Sequence, residues 1–457
     1  MRKIEQRSAV CLLLCTALLL GSILFFLRFV VEGPRWASFS ANRHLYGPGG
    51  TLAVGRVLDR DGDVLSYVNS DGRRAYYENS DVRRATLHAV GDLEGNVGTG
   101  ALSAFADQLS GYDLLTGAYS PMGAGNDLYL TIDAHLNYVA HRAMAGRKGA
   151  AAVYNYQTGE ILCMYSSPNF DPADPPVIDP EDPAYDGIYV NRFLQSTYPP
   201  GSVFKLVTLA AAIENLNDWD SRSFTCTGST LVGGESVTCP AAHGELTVQD
   251  ALAVSCNGFF ASLAAELGGP VLSRYARQGG LTSSYSVSGL SSAKGSLTLE
   301  SASDGEVGWA GVGQHRDLVN PCAVMVYMGA IARGGEAAVP QLVLETRSSL
   351  NFPLSFYLKK KTGTMLEPGT AGILAELMAE NVQRSYGPER FPNMDICAKS
   401  GTAEVGGDQT PHAWFTGFLR DSGAPYAFVV VIENGGSGSA AAGAVAADIL
   451  NALVNGD

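Results

Sequence analysis

Pro199-Pro200-Gly201-Ser202-Val203-Phe204-Lys205-Leu206-Val207-Thr208-Leu209-Ala210-Ala211-Ala212-Ile213 is the stretch on which the reading of this chain turns. Two prolines and a glycine stop regular structure, and the apolar run behind them predicts a buried helix with Ser202 in its first turn. Residues three apart lie on one helix face, so Lys205 sits one turn below the Ser202 hydroxyl. A serine hydroxyl needs a base to become a nucleophile, and a lysine serves once desolvation or a second cation lowers its pKa. A helix start also offers free backbone N–H groups to an oxyanion. Taken alone, Ser-x-x-Lys arises often by chance, and its plain alternative is a helix cap with a surface lysine.

Two further stretches carry chemistry. Ser255-Cys256-Asn257 lies between apolar helical runs at 248–254 and 258–267. It reads either as a connecting turn or as a proton-relaying hydroxyl with an amide that holds a peptide bond. Lys399-Ser400-Gly401-Thr402-Ala403-Glu404 follows the apolar Ile396-Cys397-Ala398, and a turn-rich loop at 406–411 separates it from Trp414-Phe415-Thr416-Gly417-Phe418. Two neighbouring strands are the simple reading. A glycine on a strand lets substrate backbone approach closely, and flanking hydroxyls with a lysine suit a carboxylate.

Working outward, residues 128–132 predict a strand, Leu136, Val139, Ala140 and Ala143 a helix, and 150–156 with 160–166 a strand pair around Gln157-Thr158-Gly159. The acidic, Pro-rich stretch 168–186 reads as a long loop, and residues 435–444 lead into a short Ala-rich terminal helix. Ahead of these, residues 54–67 predict two strands about an Asp61-Gly62 turn. Asp59, Asp61 and Asp63 do not make a calcium loop, because the sixth and twelfth positions are Val64 and Ser70. Residues 9–31 are apolar enough to span a bilayer, and Arg2, Lys3 and Arg7 before them place residues 1–8 in the cytoplasm. The expected divisions are therefore a tail at 1–8, an uncleaved anchor at 9–31, a small β-containing domain at 32–125 and a catalytic domain at 126–457 outside the membrane.

The 457 residues carry 31 Lys plus Arg against 45 Asp plus Glu, a formal charge of -14 that would repel a phosphate backbone and excludes nucleic acid as a partner. Of eight cysteines, Cys11 and Cys15 fall in the anchor, and Cys163, Cys256, Cys322 and Cys397 have apolar neighbours that predict buried thiols. Cys226 and Cys239 flank a Gly-rich segment and either form a disulfide outside the cytoplasm or stay unpaired. No spacing resembles a zinc site, so neither metal nor cofactor is expected.

The three stretches, in this order and across about 200 residues, resemble the signature of the penicillin-binding transpeptidases. The similarity extends to Gly55-Arg56-Val57-Leu58-Asp59-Arg60-Asp61-Gly62, which looks like the opening of a class B amino-terminal region, and to Asn191-Arg192, His243-Gly244 and Gly313-Gln314. It implies an α+β serine transpeptidase/β-lactamase-like fold, with a central antiparallel sheet flanked by helices. By the same resemblance Ser202 is acylated, Lys205 is its base and Ser255 passes the proton. Asn257 contacts the acyl substrate's amide, Ser400 and Thr402 bind the terminal carboxylate with Lys399 nearby, Gly401 completes this substrate-binding stretch, and the backbone N–H groups of Ser202 and Thr402 form an oxyanion hole. The implied activity is D,D-transpeptidation of peptidoglycan stem peptides with acylation by β-lactams, and the implied partner is a polytopic membrane glycosyltransferase. Against it stand hydrolysis of the same acyl-enzyme, as a D,D-carboxypeptidase or β-lactamase, and a noncatalytic scaffold or sensor. Class B likeness, and the lack of a Glu placed by any motif to activate water, weigh against the first; three intact motifs weigh against the second.

Overall fold

In the computed structural model, residues 2–37, 54–111, 125–420 and 423–456 are described. At its centre lie five strands in the order Ile396–Ala403, His412–Leu419, Tyr426–Ile432, Gly149–Asn155 and Ile161–Ser167, every neighbouring pair antiparallel. Side chains alternate across a pleated strand, and here both faces are buried. Ala150, Ala152, Tyr154, Trp414, Val429 and Val431 join one apolar cluster with the helices Lys205–Asn215 and Pro321–Ala332. Their neighbours Ala151, Val153, Phe415, Phe428 and Val430 join another with Ala134–Met144 and Gly443–Asn455. A sheet with helices on both faces explains why Tyr426–Ile432 reads as an almost unbroken apolar run. The architecture is the expected α+β one.

A second sheet runs Pro353–Phe356, Val343–Arg347, Asp127–Leu130, Val57–Leu58, Val64–Val68 and Arg74–Tyr76. Its hairpin turns at Asp61-Gly62 as expected, with Gly62 at φ +94°. Asp59 organises that turn. One carboxylate oxygen accepts the N–H groups of Asp61 and Asp63 at 3.0 and 2.9 Å, and the other accepts the N–H of Ala134 at 3.1 Å. The sheet draws strands from both sides of residue 125, and Val57–Leu58 runs parallel to Asp127–Leu130.

Arg2–Ala37 is one helix; the most apolar eighteen residues within Lys3–Gly33 have a mean hydropathy of 2.8, and none of them is buried. At about 1.5 Å per residue it is long enough to cross the ~30 Å hydrocarbon layer. The loop at 168–186 contains one short 3₁₀ helix, Pro183–Tyr185, besides turns at Asp171–Asp174 and Asp179–Asp182. It is held by Lys148 to Asp186 at 2.7 Å and by Arg192, whose guanidinium donates to the carbonyls of Asp186 and Gly187 and pairs with Glu433 at 2.8 Å.

Candidate active site

The helix Lys205–Asn215 is preceded by a tight turn, Gly201–Phe204, so Ser202 sits where the backbone is still winding up. Gly201 has φ +54°, and a Cβ there would lie 2.7 Å from the Thr402 carbonyl oxygen. Only glycine allows this turn to rest against the strand Ile396–Ala403. Ser202 is partly exposed, and its hydroxyl makes no hydrogen bond to a described residue.

Lys205 is fully buried, and its Nζ lies 2.6 Å from the Ser255 carbonyl, 2.8 Å from Asn257 Oδ1 and 3.0 Å from Ser255 Oγ. Burial, reinforced by repulsion from Lys399, drives its pKa well below the ordinary lysine value. A neutral amine has two hydrogens and one lone pair. The carbonyl and amide oxygens take the hydrogens, which leaves the lone pair for a hydroxyl. Lys399, also fully buried, reaches the same Ser255 Oγ at 3.1 Å and the Ser400 carbonyl at 3.0 Å. Two lysines therefore converge on one serine hydroxyl.

Ser255 is held in an unusual backbone state. It follows the helix Val248–Ala253 at φ +53°, with its N–H on Leu252 and the Cys256 N–H on Ala251. That is a Schellman ending with serine where glycine is usual, a conformation costing about 1–2 kcal/mol for a residue with a Cβ. Asn257 then starts the helix Asn257–Leu267, and its Nδ2 donates to the Thr238 carbonyl at 2.8 Å, so both ends of its amide are engaged.

Strand Ile396–Ala403 is the edge of the central sheet, and three of its outward backbone groups are taken by side chains of other elements. Asn381 Nδ2 donates to the Ala398 carbonyl at 2.8 Å, the Ser400 N–H donates to the Tyr386 hydroxyl at 2.8 Å, and Gln314 Nε2 donates to the Thr402 carbonyl at 2.8 Å. In an antiparallel strand a residue's N–H points the same way as its C=O, so the Thr402 N–H faces this edge, on the side of the Ser202 turn. Tyr386 also donates to Ser400 Oγ at 2.9 Å. Burial pushes its phenol up, but the Lys399 charge and the Ser400 hydrogen bonds outweigh that and bring it below the ordinary value. Tyr386 was not foreseen, because nothing local marks a tyrosine at the end of the helix Pro368–Ser385. The structure gives a further reason for glycine at 401: a Cβ there would press on Val203, Trp414 and the Pro200 carbonyl, so the glycine admits the nucleophile turn.

Of the two alternatives for Cys226 and Cys239, the structure has the free thiols. The reason is geometric: Cys226 Sγ lies 3.4 Å from His243 Nδ1, and Cys239 Sγ lies 3.8 Å from Cys256 Sγ. The four side chains form a cluster that no spacing in the sequence announces.

Residues 149–455 match the profile of the penicillin binding protein transpeptidase domain. The chain is 30% identical over 333 residues to the peptidoglycan D,D-transpeptidase PbpA of Mycobacterium tuberculosis, a match covering 67% of this chain and 66% of that protein. To the PbpA of Mycolicibacterium smegmatis it is 28% identical over 435 residues, covering 86% of this chain and 87% of that one. The ceftriaxone acyl-enzyme complex of penicillin-binding protein A from M. tuberculosis superimposes with a TM-score of 0.77 at 25% identity, over 88% of this chain and 98% of that one. The likeness thus spans the central sheet, both lysines and the Ser202 turn, and the chain belongs to the penicillin-binding protein transpeptidase family, among its class B members.

Proposed function

We propose that this chain is a serine-type D,D-transpeptidase that cross-links peptidoglycan stem peptides through an acyl-enzyme on Ser202 and is acylated there by β-lactams. The observation that carries the reading is the pair of buried lysines meeting at the Ser255 hydroxyl, at 3.0 and 3.1 Å, beside a serine on a turn too tight for any side chain at 201.

Ser202 Oγ attacks the carbonyl between the two terminal D-alanines, and its proton passes to neutral Lys205. The tetrahedral oxyanion lies between the backbone N–H groups of Ser202 and Thr402, which are fixed before the reaction begins. Ser255 carries the proton on to the leaving amine, the C–N bond breaks, and D-alanine departs. An acceptor amine then attacks the ester, and the same groups run in reverse to regenerate Ser202. Lys399, Ser400 and Thr402 hold the terminal carboxylate, with Tyr386 fixing Ser400, and Asn257 contacts the acyl chain. The Lys3–Gly33 helix anchors the enzyme with its basic end in the cytoplasm and the catalytic unit outside, where a polytopic glycosyltransferase supplies glycan strands. Digestion and mass spectrometry after penicillin treatment tests the reading: the adduct is expected on the Ser202 peptide and absent in Ser202→Ala, and an adduct on any other residue refutes it.

A further inference from the structure

Next to the Ser255 turn the fold gathers four side chains that acyl transfer does not use. Cys226 ends the strand Phe224–Cys226, Cys239 follows the strand Glu235–Thr238, His243 precedes the strand Gly244–Leu246, and Cys256 stands between Ser255 and Asn257. Their three sulfurs and one ring nitrogen all lie within 4.8 Å of one another. Cys226 and Cys256 are buried, and Cys239 and His243 are partly covered. The Gly258 N–H points at Cys239 Sγ from 3.4 Å, as a donor does toward a thiolate.

We propose that Cys226, Cys239, His243 and Cys256 bind one zinc ion in a closed tetrahedral site, and that this ion fixes the turn presenting Ser255 and Asn257 to Lys205. The geometry argues for a metal over a bridge. A tetrahedron with Zn–S bonds of about 2.3 Å sets its sulfurs about 3.8 Å apart, and a Zn–N bond of about 2.05 Å sets sulfur and nitrogen about 3.6 Å apart. The observed separations are 3.8 Å for Cys239 and Cys256 and 3.4 Å for Cys226 and the His243 ring. A disulfide needs sulfurs about 2.05 Å apart and would leave the other two ligands facing nothing. Soft thiolates with one imidazole select zinc over magnesium or calcium, and four protein ligands leave no position for a reacting water. The ion is structural.

Its place gives it a consequence for the site. Lys205 is held by the Ser255 carbonyl, Ser255 Oγ and Asn257 Oδ1, on either side of Cys256 in the chain. The Asn257 amide also reaches back to Thr238, next to Cys239. An ion on Cys256 and Cys239 pins both segments at once, and it steadies a turn in which Ser255 has φ +53°. This positioning role rests on the transpeptidase reading, whereas metal binding does not.

The test uses the full chain in detergent, purified with reductant and without added metal. Elemental analysis is expected to find about one zinc per chain, and a chain stripped by chelator and titrated with Co²⁺ is expected to show a tetrahedral spectrum with thiolate-to-cobalt charge transfer. Cys239→Ser should lower that charge-transfer band by about a third, since one of three thiolates is lost, and His243→Ala should keep the band while shifting the visible transitions. If the variants do not fold, the wild-type spectrum, bleached by one equivalent of Zn²⁺, decides. Less than a tenth of an equivalent of zinc with no charge transfer overturns the site, as does an intact mass showing a Cys226–Cys239 disulfide. For the positioning role, stripping should slow penicillin acylation of Ser202 about tenfold and zinc should restore it; an unchanged rate overturns that role. Metal loading is read without activity, so its failure and that of the transpeptidase assignment are separable.

Discussion

Ser255 couples strain to chemistry, and the two come apart under substitution. Ser255→Gly and Ser255→Ala both remove the hydroxyl on which Lys205 and Lys399 meet, so both should lose penicillin acylation by a factor on the order of 10² or more. They should differ in stability. Glycine relieves the left-handed backbone that alanine keeps, and thermal unfolding should place Ser255→Gly above Ser255→Ala by about 1 kcal/mol. Equal stability would mean that the turn is not strained. A second prediction concerns the lysines. Burial first, and then Lys399, lowers the pKa of Lys205, so Lys399→Ala removes a repulsion and lets the Lys205 pKa rise. The base form then appears only at higher pH, and the midpoint of the acylation-rate profile should move upward, beyond any weakening of carboxylate binding. An unmoved midpoint would show the two lysines to be uncoupled.

At the scale of single elements, the strand Ile396–Ala403 stays an orderly edge because side chains from other elements cap three of its outward groups. Tyr386→Phe deletes the acceptor of the Ser400 N–H and the donor to Ser400 Oγ. Leaving that partly buried N–H unpaired should cost about 1 kcal/mol in unfolding experiments and raise the substrate concentration needed for half-maximal acylation, with a smaller effect on the maximal rate. An unchanged concentration dependence would remove Tyr386 from the site. The contrast between Tyr386 and Lys205 also shows what could be read in advance. Lys205 is one helical turn from Ser202, so local geometry announces the pair. Tyr386 meets Ser400 only because the helix Pro368–Ser385 packs beside the edge strand, and one tyrosine after Arg384-Ser385 carries no local signal. The same holds for Cys226, Cys239, His243 and Cys256, which come from three strand ends and a turn; read pairwise, the first two suggest a bridge or two unpaired thiols and no metal. Four of the five central strands were legible because apolar runs bounded by turns mark them, while Tyr426–Ile432, buried on both faces, was not read in advance; nor was the six-stranded sheet, since Val343–Arg347 joins Asp127–Leu130 across more than two hundred residues.

For the whole molecule, the small sheet and the catalytic unit share backbone. Asp127–Leu130 sits between Val57–Leu58 and Val343–Arg347, with Leu128 and Leu130 fully buried, and Asp59 holds the start of the helix Ala134–Met144. A fragment beginning at residue 126 would expose one side of that strand. It should unfold at lower temperature than residues 54–456 and elute as aggregate in size-exclusion chromatography; equal thermal midpoints would show the two parts to be independent. The sheet order bears on time as well as space. Gly149–Asn155 and Ile161–Ser167 leave the ribosome well before Ile396–Ala403, His412–Leu419 and Tyr426–Ile432, and at about 10 residues per second the gap is on the order of 20 s. Through that interval two apolar strands wait without their neighbours. Lys399 is on the last group to arrive, so this enzyme is assembled with its chemistry switched off until translation is nearly finished.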